Sequence, residues 1–161
     1  MLAYLPQASV ERWQTVTTRY KGLPDEMRRT FDRAYPRQQM LAKLFHDKGV
    51  RMIVGTDGGS YLGPGLTLRQ EFKELSDAGI ATLAILQMAT VNAAAYLDRS
   101  DTMGLIASGY DADLVLLDAD PTGRVENLHA IAGVVRAGVL HSRSDLDAMT
   151  NRVAANQGYL T

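Results

Sequence analysis

The sequence predicts an α/β protein in which helices surround one strand of parallel-sheet type and a small β unit follows. Three observations predict it. Met52-Ile53-Val54 is an apolar run between Gly49 and Gly55, the pattern of a strand buried on both faces. The stretches before and after it carry apolar residues at helical spacing. Beyond about residue 101 the texture changes to short apolar runs separated by Asp, Gly and Pro, which read as strands and turns.

The elements follow in order. Residues 1–8, with Pro6, read as the tail of a loop. Ser9 is placed to cap a helix carrying Val10, Trp13, Val16 and Tyr20, with Trp13, Val10 and Val16 as core. Gly22-Leu23-Pro24 ends it. A second helix is expected from Pro24, with Met27, Phe31 and Tyr35 inward. A third opens at Pro36, with Met40, Leu41, Leu44 and Phe45 on one face and Gly49 as its stop. The strand follows, then a Gly/Pro-rich loop from Gly58 to Gly65. Thr67-Leu-Arg-Gln70 fits a capping box, and Leu68, Phe72 and Leu75 keep helical spacing as far as Gly79. Residues 82–89 read as a short buried helix, and Thr90-Val-Asn92 opens another. Gly104 to Gly109 reads as a short strand and turn, residues 113–118 as a strand, and Asp120-Pro-Thr-Gly123 as a turn. Residues 131–136 and 139–141 are strands joined at Ala137-Gly138. Ser144 is placed to cap a last helix with Leu146, Met149 and Val153. No internal repeat or low-complexity segment is present. Parallel strands pair through strand–helix–strand crossovers, and the strand near residue 53 has no such partner in this chain. Its partners are expected in another chain, or in the remainder of a larger protein of which this is the carboxyl portion.

Length and composition bound the function. The chain has 161 residues, 46% hydrophobic and 22% charged, ordinary values for a globular protein. Its net charge of −1 implies no general attraction to nucleic acid or to an anionic membrane. With no cysteine, disulfides, thiolate metal sites and a cysteine nucleophile are excluded. No apolar run approaches the ~20 residues that span a bilayer, and the first residues lack a signal-peptide pattern, so a cytoplasmic protein is expected.

The residue that stands out is Asp57, just past the carboxyl end of the strand, where the chemistry of parallel sheets sits. Two readings are open: a functional carboxylate, or a turn-forming Asp in an Asp-Gly pair. Gly58, Gly59 and Tyr61 are candidates to shape a substrate pocket, or simply form a loop. The glycine loop lacks the Lys-Ser/Thr ending of a P-loop. His46, next to Asp47 and Lys48, reads as a helix-end residue. His129 and His141 have no partner at metal-ligand spacing. Asp111 and Asp113 read as fixing a turn and a strand start.

Five segments in order resemble the metal-dependent amidohydrolase superfamily. Gly49-Val-Arg-Met-Ile-Val-Gly-Thr-Asp57 resembles its eighth barrel strand. Glu71-Phe-Lys-Glu-Leu-Ser-Asp-Ala-Gly-Ile80 is similar to the helix that follows. Leu86-Gln-Met-Ala-Thr-Val-Asn-Ala-Ala95 resembles its A-T-x-N-x-A segment. Residues 103–118 resemble its closing G-x-I-x-x-G-x-x-A-D-L-V-x-L-D pattern, and Val134-Val-Arg-Ala-Gly138 its V-x-x-G end. The match runs over roughly residues 36–141 and is nearest the imidazolonepropionase and dipeptidase-like branch. The sequence departs from the family at Arg69, where many relatives of that branch carry histidine, and at Ser108, where proline is usual. It also lacks the His-x-His pair of the first strand, and has no counterpart of the lysine or later histidines that bind the metals.

The resemblance implies the carboxyl-terminal part of a TIM (β/α)8 barrel together with part of a small β-sandwich. The division it suggests is a partial barrel over 1–100, a sandwich segment over 101–143 and a terminal helix over 144–161. It implies that Asp57 is a metal ligand and the catalytic base, with Gly58, Gly59 and Tyr61 near substrate. It also implies a divalent metal, zinc by preference, in the complete enzyme, with this chain alone holding none. The complete enzyme would hydrolyse a C–N bond of a cyclic amide, dipeptide or related small molecule, and the isolated chain would be inactive. Expected partners are the small-molecule substrate and the rest of the barrel or another copy of the chain, as a homo-oligomer, with no nucleic acid or membrane. The alternatives are a non-catalytic, self-associating remnant or folding module, and a small-molecule binding domain built on the glycine loop.

Overall fold

The computed structural model describes residues 5–57 and 65–155. Among them the chain forms α1 (Gln7–Lys21), α2 (Asp25–Asp47), α3 (Leu66–Asp77), α4 (Thr82–Ala89), α5 (Val91–Tyr96), β1 (Leu114–Leu117), a 3-10 helix (Val125–His129), β2 (Ile131–Arg136), β3 (Val139–Ser142) and α6 (Arg143–Ala155). The mixed α/β class is as expected.

α1 starts two residues before the expected Ser9 cap. The Pro6 carbonyl accepts the N–H groups of Ser9 and Val10, at 2.9 and 3.1 Å, so the first turn closes without a hydroxyl. α2 is one helix where two were expected, and Pro36 lies inside it. Proline removes one hydrogen bond from a helix. Here Asp32 and Pro36 are both exposed, so water can serve the carbonyl left without a donor. The helix stops as expected at Gly49. With φ +73°, Gly49 takes the left-handed conformation that lets the Val50 N–H reach back to the Phe45 carbonyl at 3.0 Å.

Neither α1 nor α2 buries a residue. The Tyr20 and Phe31 rings meet at 6.0 Å, and the Tyr20 hydroxyl donates to Asp32 at 3.1 Å. Trp13 is exposed rather than core, as are Met27, Phe31, Tyr35, Met40, Leu41, Leu44 and Phe45. Helical spacing reports which face is built for burial. It does not report whether the same chain supplies the cover.

The core lies further on. Leu75, Ile80, Ile85 and Met88 pack with Val125 and Leu128 of the 3-10 helix, flanked by Met52, Val54, Phe72 and Leu117. One apolar cluster thus draws on residues from both sides of position 100. α3 begins after Gly65 with no side-chain cap, so Thr67 lies inside the helix and the expected capping box over 67–70 does not form. It ends as expected, at Gly79, where the Ile80 N–H bonds the Leu75 carbonyl at 3.1 Å. α4 and α5 match the expected short helices and meet at Thr90.

The sheet is antiparallel, ordered β1-β2-β3, with Leu116 opposite Gly133 and Val134 opposite His141. Ala137 and Gly138 both have positive φ, the geometry of a two-residue hairpin turn. The expected strand near 104–106 does not form; Leu105 and Ile106 are exposed and no strand lies alongside them among the described residues. α6 is capped two residues earlier than expected. The Ser142 hydroxyl accepts the Asp145 N–H at 3.2 Å, and the Asp145 carboxylate accepts the Ser142 N–H at 2.8 Å. The capping box is therefore Ser142-x-x-Asp145, and Ser144 instead bonds the Ser142 hydroxyl.

Residues 50–57, expected as a strand buried on both faces, form no ladder among the described residues. Met52, Val54 and Thr56 are partly buried, whereas Arg51, Ile53, Gly55 and Asp57 are exposed. This alternation is that of an extended chain with one covered face. The core covers the first face, and nothing among the described residues covers the other. The total accessible surface is 11240 Å². A closed globular monomer of 17.6 kDa exposes about 7,900 Å², so roughly 3,000 Å² is left uncovered. No helix among the described residues is long and apolar enough to cross a membrane.

Candidate functional site

The chain rises from the Gly49 turn, runs extended through Met52 and Val54, and reaches Asp57 at φ +43°. Positive φ is tolerated by Asp better than by most residues, and it ends the extended run at the carboxylate. Asp57 is exposed, on the same side of the segment as Ile53 and Gly55. Gly58, Gly59 and Tyr61 lie outside the described residues.

Two side chains from neighbouring helices reach this segment. Asn92 of α5 donates its Nδ2–H to the Met52 carbonyl at 2.8 Å. The Glu71 carboxylate of α3, partly buried, lies beside the backbone N–H of Gly55. Burial raises the Glu71 pKa above its ordinary value, and the Gly55 N–H offsets part of that rise. Glu71 and Asn92 stand in the motifs that carry the resemblance, but sequence reasoning assigned neither of them a role. The available signal was an Asn in the first turn of the short helix α5, among mostly apolar residues.

The structure does not gather the histidines around Asp57. His46 lies in the last turn of α2, His129 at the end of the 3-10 helix and His141 on β3. Asp111 and Asp113 act as expected of turn residues. Asp113 accepts the Ala137 N–H at 2.6 Å and pairs with Arg136, which holds its carboxyl below the ordinary carboxylate value. Asp111 pairs with Arg99 at 2.6 Å. Asp113 thus ties the hairpin turn to the start of β1, and Asp111 ties the segment before β1 to Arg99, just beyond α5.

The model of the amidohydrolase family matches residues 15–142. The chain belongs to the amidohydrolase family. Among solved structures, it resembles bottromycin amidohydrolase over 98% of its length, with 24% identity and a TM-score of 0.82, and covers 35% of that chain. It resembles a Xaa-Pro dipeptidase with methionine bound in the active site over 83% of its length, with 24% identity and a TM-score of 0.65, covering 33% of that chain. A Bifidobacterium longum protein described as a prolidase matches 70% of it at 29% identity, with a TM-score of 0.57 and 29% of that chain covered. The chain therefore spans about a third of the length of these amidohydrolase and prolidase structures. A search of curated proteins finds no match.

Amidohydrolases are typically metal-dependent, so the residues of this chain can be tested against a metal site. Among the described residues no group of three or more His, Cys, Asp or Glu side chains could hold a metal ion. A catalytic zinc takes three protein ligands. Asp57 is one carboxylate, and neither His46, His129 nor His141 joins it in such a group. The described residues do not fit a complete metal centre.

Proposed function

We propose that this chain is the carboxyl-terminal part of a metal-dependent amidohydrolase that hydrolyses a C–N bond in a cyclic amide, dipeptide or related small molecule. Asp57 supplies one carboxylate to a site whose other ligands come from the rest of a (β/α)8 barrel. The observation that carries this reading is the exposed Asp57 at the end of an extended segment with one covered face, in a chain that matches the family over residues 15–142. A carboxylate so placed can accept the proton of an attacking water and return it to the leaving nitrogen. Gly58, Gly59 and Tyr61 follow it in the sequence and are proposed to line the substrate side. The barrel remainder is also the proposed cover for the exposed face of α2 and for Ile53.

The test is metal content and hydrolysis of cyclic amides and dipeptides, measured on each fraction of a sizing column. The expected outcome is no stoichiometric metal and no turnover for the chain alone. Stoichiometric zinc with turnover in a monomer fraction would refute the reading.

A second reading is favoured by the roughly 3,000 Å² of excess surface. Large obligate interfaces bury 2,000–5,000 Å² or more in total, about 1,000–2,500 Å² or more from each partner, so the excess on one chain is enough to supply its half. The chain would then be a non-catalytic module that covers its own α2 face with a second copy. Light scattering that gives a stable dimer, together with Asp57→Asn leaving every property unchanged, would favour it over the first.

A further inference from the structure

We propose that Asn92 is a positioning residue: its carboxamide sets the register of the segment that ends in Asp57. The segment has no ladder among the described residues, so within this part of the chain its register rests on other contacts. Apolar packing alone specifies it weakly. Met52 and Val54 are similar in kind and occupy alternate positions, and a slip of two residues would still present apolar side chains to the core. A slip of one residue moves the chain by about 3.3 Å and exchanges its two faces. Thr56 would then face outward and Asp57 would turn toward the core.

One directional bond opposes the one-residue slip, because successive carbonyls of an extended chain point to opposite sides and that slip would turn the acceptor away from Asn92. Asn92 reaches across 40 positions of sequence to the Met52 carbonyl, part-buried, at 2.8 Å. Its helix is itself held in place. Ala94, two residues on, is buried, and Gly104 packs against Ala94, Thr90 and Val91. The donor is therefore mounted on a seated element, and its acceptor is on the element that needs fixing. Glu71, beside the Gly55 N–H from the next helix, supports the same register from a second point. The A-T-x-N-x-A motif thus acquires a physical purpose for its polar residue. The catalytic weight of this register rests on the reading of Asp57 given above; the register itself does not.

The chain contains no cysteine, so single thiols report faces cleanly. Asp57→Cys and Thr56→Cys are made separately, each with Asn92 intact, with Asn92→Asp and with Asn92→Ala, and thiol-labelling rates are measured on the full chain. Aspartate keeps the size of asparagine and cannot donate. With Asn92 intact, position 57 labels faster than position 56. With Asn92→Asp that contrast shrinks and local opening of the segment rises at least about fivefold, the factor expected for one lost hydrogen bond, to which carboxylate–carbonyl repulsion adds. A buried control thiol, Ile85→Cys, stays protected in each background. In the unsubstituted chain, exchange of the Asn92 carboxamide protons is slowed relative to a free side chain.

An unchanged 57-to-56 contrast in Asn92→Asp would overturn the proposal, as would carboxamide protons exchanging at the free rate. Labelling of the Ile85→Cys control to the same extent would also overturn it, because Asn92 would then hold the whole fold and not the register. None of these readouts depends on hydrolysis, so stoichiometric zinc with turnover in a monomer fraction would refute the amidohydrolase-part reading and leave the register assignment standing.

Discussion

Replacing Gly104 by alanine separates backbone strain from close packing. Gly104 has φ +94°, and a Cβ there would lie 2.9 Å from the Ala94 Cβ, 3.1 Å from the Thr90 carbonyl oxygen and 3.1 Å from the Val91 Cα. Two of those three atoms are backbone at the α4–α5 junction, which cannot rotate away as a side-chain end could. The left-handed conformation costs an L-residue about 1–2 kcal/mol, and overpacking costs about 1–3 kcal/mol more. Gly138 provides the control: φ is +80°, and a methyl group added there on the open hairpin turn would meet nothing within 4 Å. Gly138→Ala therefore carries the backbone cost alone. For a chain of this size each kcal/mol lowers Tm by about 2–4 °C, so Gly104→Ala is expected to lower Tm by roughly 4–20 °C and Gly138→Ala by roughly 2–8 °C. Thermal unfolding followed by circular dichroism at one fixed protein concentration reads both. If the two variants melt within about 2 °C of each other, the close approach of the 102–111 segment to α5 contributes nothing, and the argument for a seated Asn92 loses its base.

Three further outcomes are expected. Ser142→Ala removes the hydroxyl of the α6 capping box and should cost about 1 kcal/mol, visible as earlier loss of helical signal, whereas Ser144→Ala should leave Tm almost unmoved. Asp57→Asn should leave Tm within about 1 °C, because the residue is exposed and Asn also accepts positive φ; in the completed enzyme the same change should abolish hydrolysis. For pH, Asp113 (beside Arg136), Asp120 (accepting from Thr122) and Asp145 (accepting from Ser142) are all held below the ordinary value of 3.8. Their contribution is present above that value and is lost as pH falls below it. Glu71 is raised above 4.5 by burial, so its contribution has the opposite sign: present below about 4.5 and lost as pH rises through its raised value. A Tm-against-pH profile should fall on the acid side, and Glu71→Gln should remove the separate decline above pH 4.5 without altering the acid limb.

The end of the extended segment at Asp57 was legible in the sequence because its signal, the small-residue step Gly55-Thr56, is local; the site residues Gly58, Gly59 and Tyr61 lie outside the described residues. Turn residues behave the same way: Gly49, Gly79 and the Ala137-Gly138 pair sit where a left-handed residue is required, and each was placed from sequence alone. Helix starts were less legible. Ser9, Thr67 and Ser144 are all good caps by residue type, but each lies inside its helix. A cap is chosen by where the chain enters the helix, which depends on the preceding loop and not on the hydroxyl. Pro36 misled in the same way, because a proline on a water-facing side leaves its carbonyl partner solvated and the helix runs through.

The sequence by itself determined the short helices α4 and α5, the antiparallel hairpin and its turn, and the family to which the chain belongs, since each depends on residues close together or on an ordered set of motifs. Only the tertiary structure decided which apolar faces are covered. Val54 is half-buried while Ile53, its neighbour and near equivalent in hydrophobicity, is exposed, and the α2 stripe from Met27 to Phe45 stands open to solvent. Only the structure, too, joined Asn92 to Met52. Periodicity records that a face is apolar, but burial is a relation between that face and another surface. A hydrogen bond between residues 40 positions apart is likewise a property of the fold and of neither residue alone.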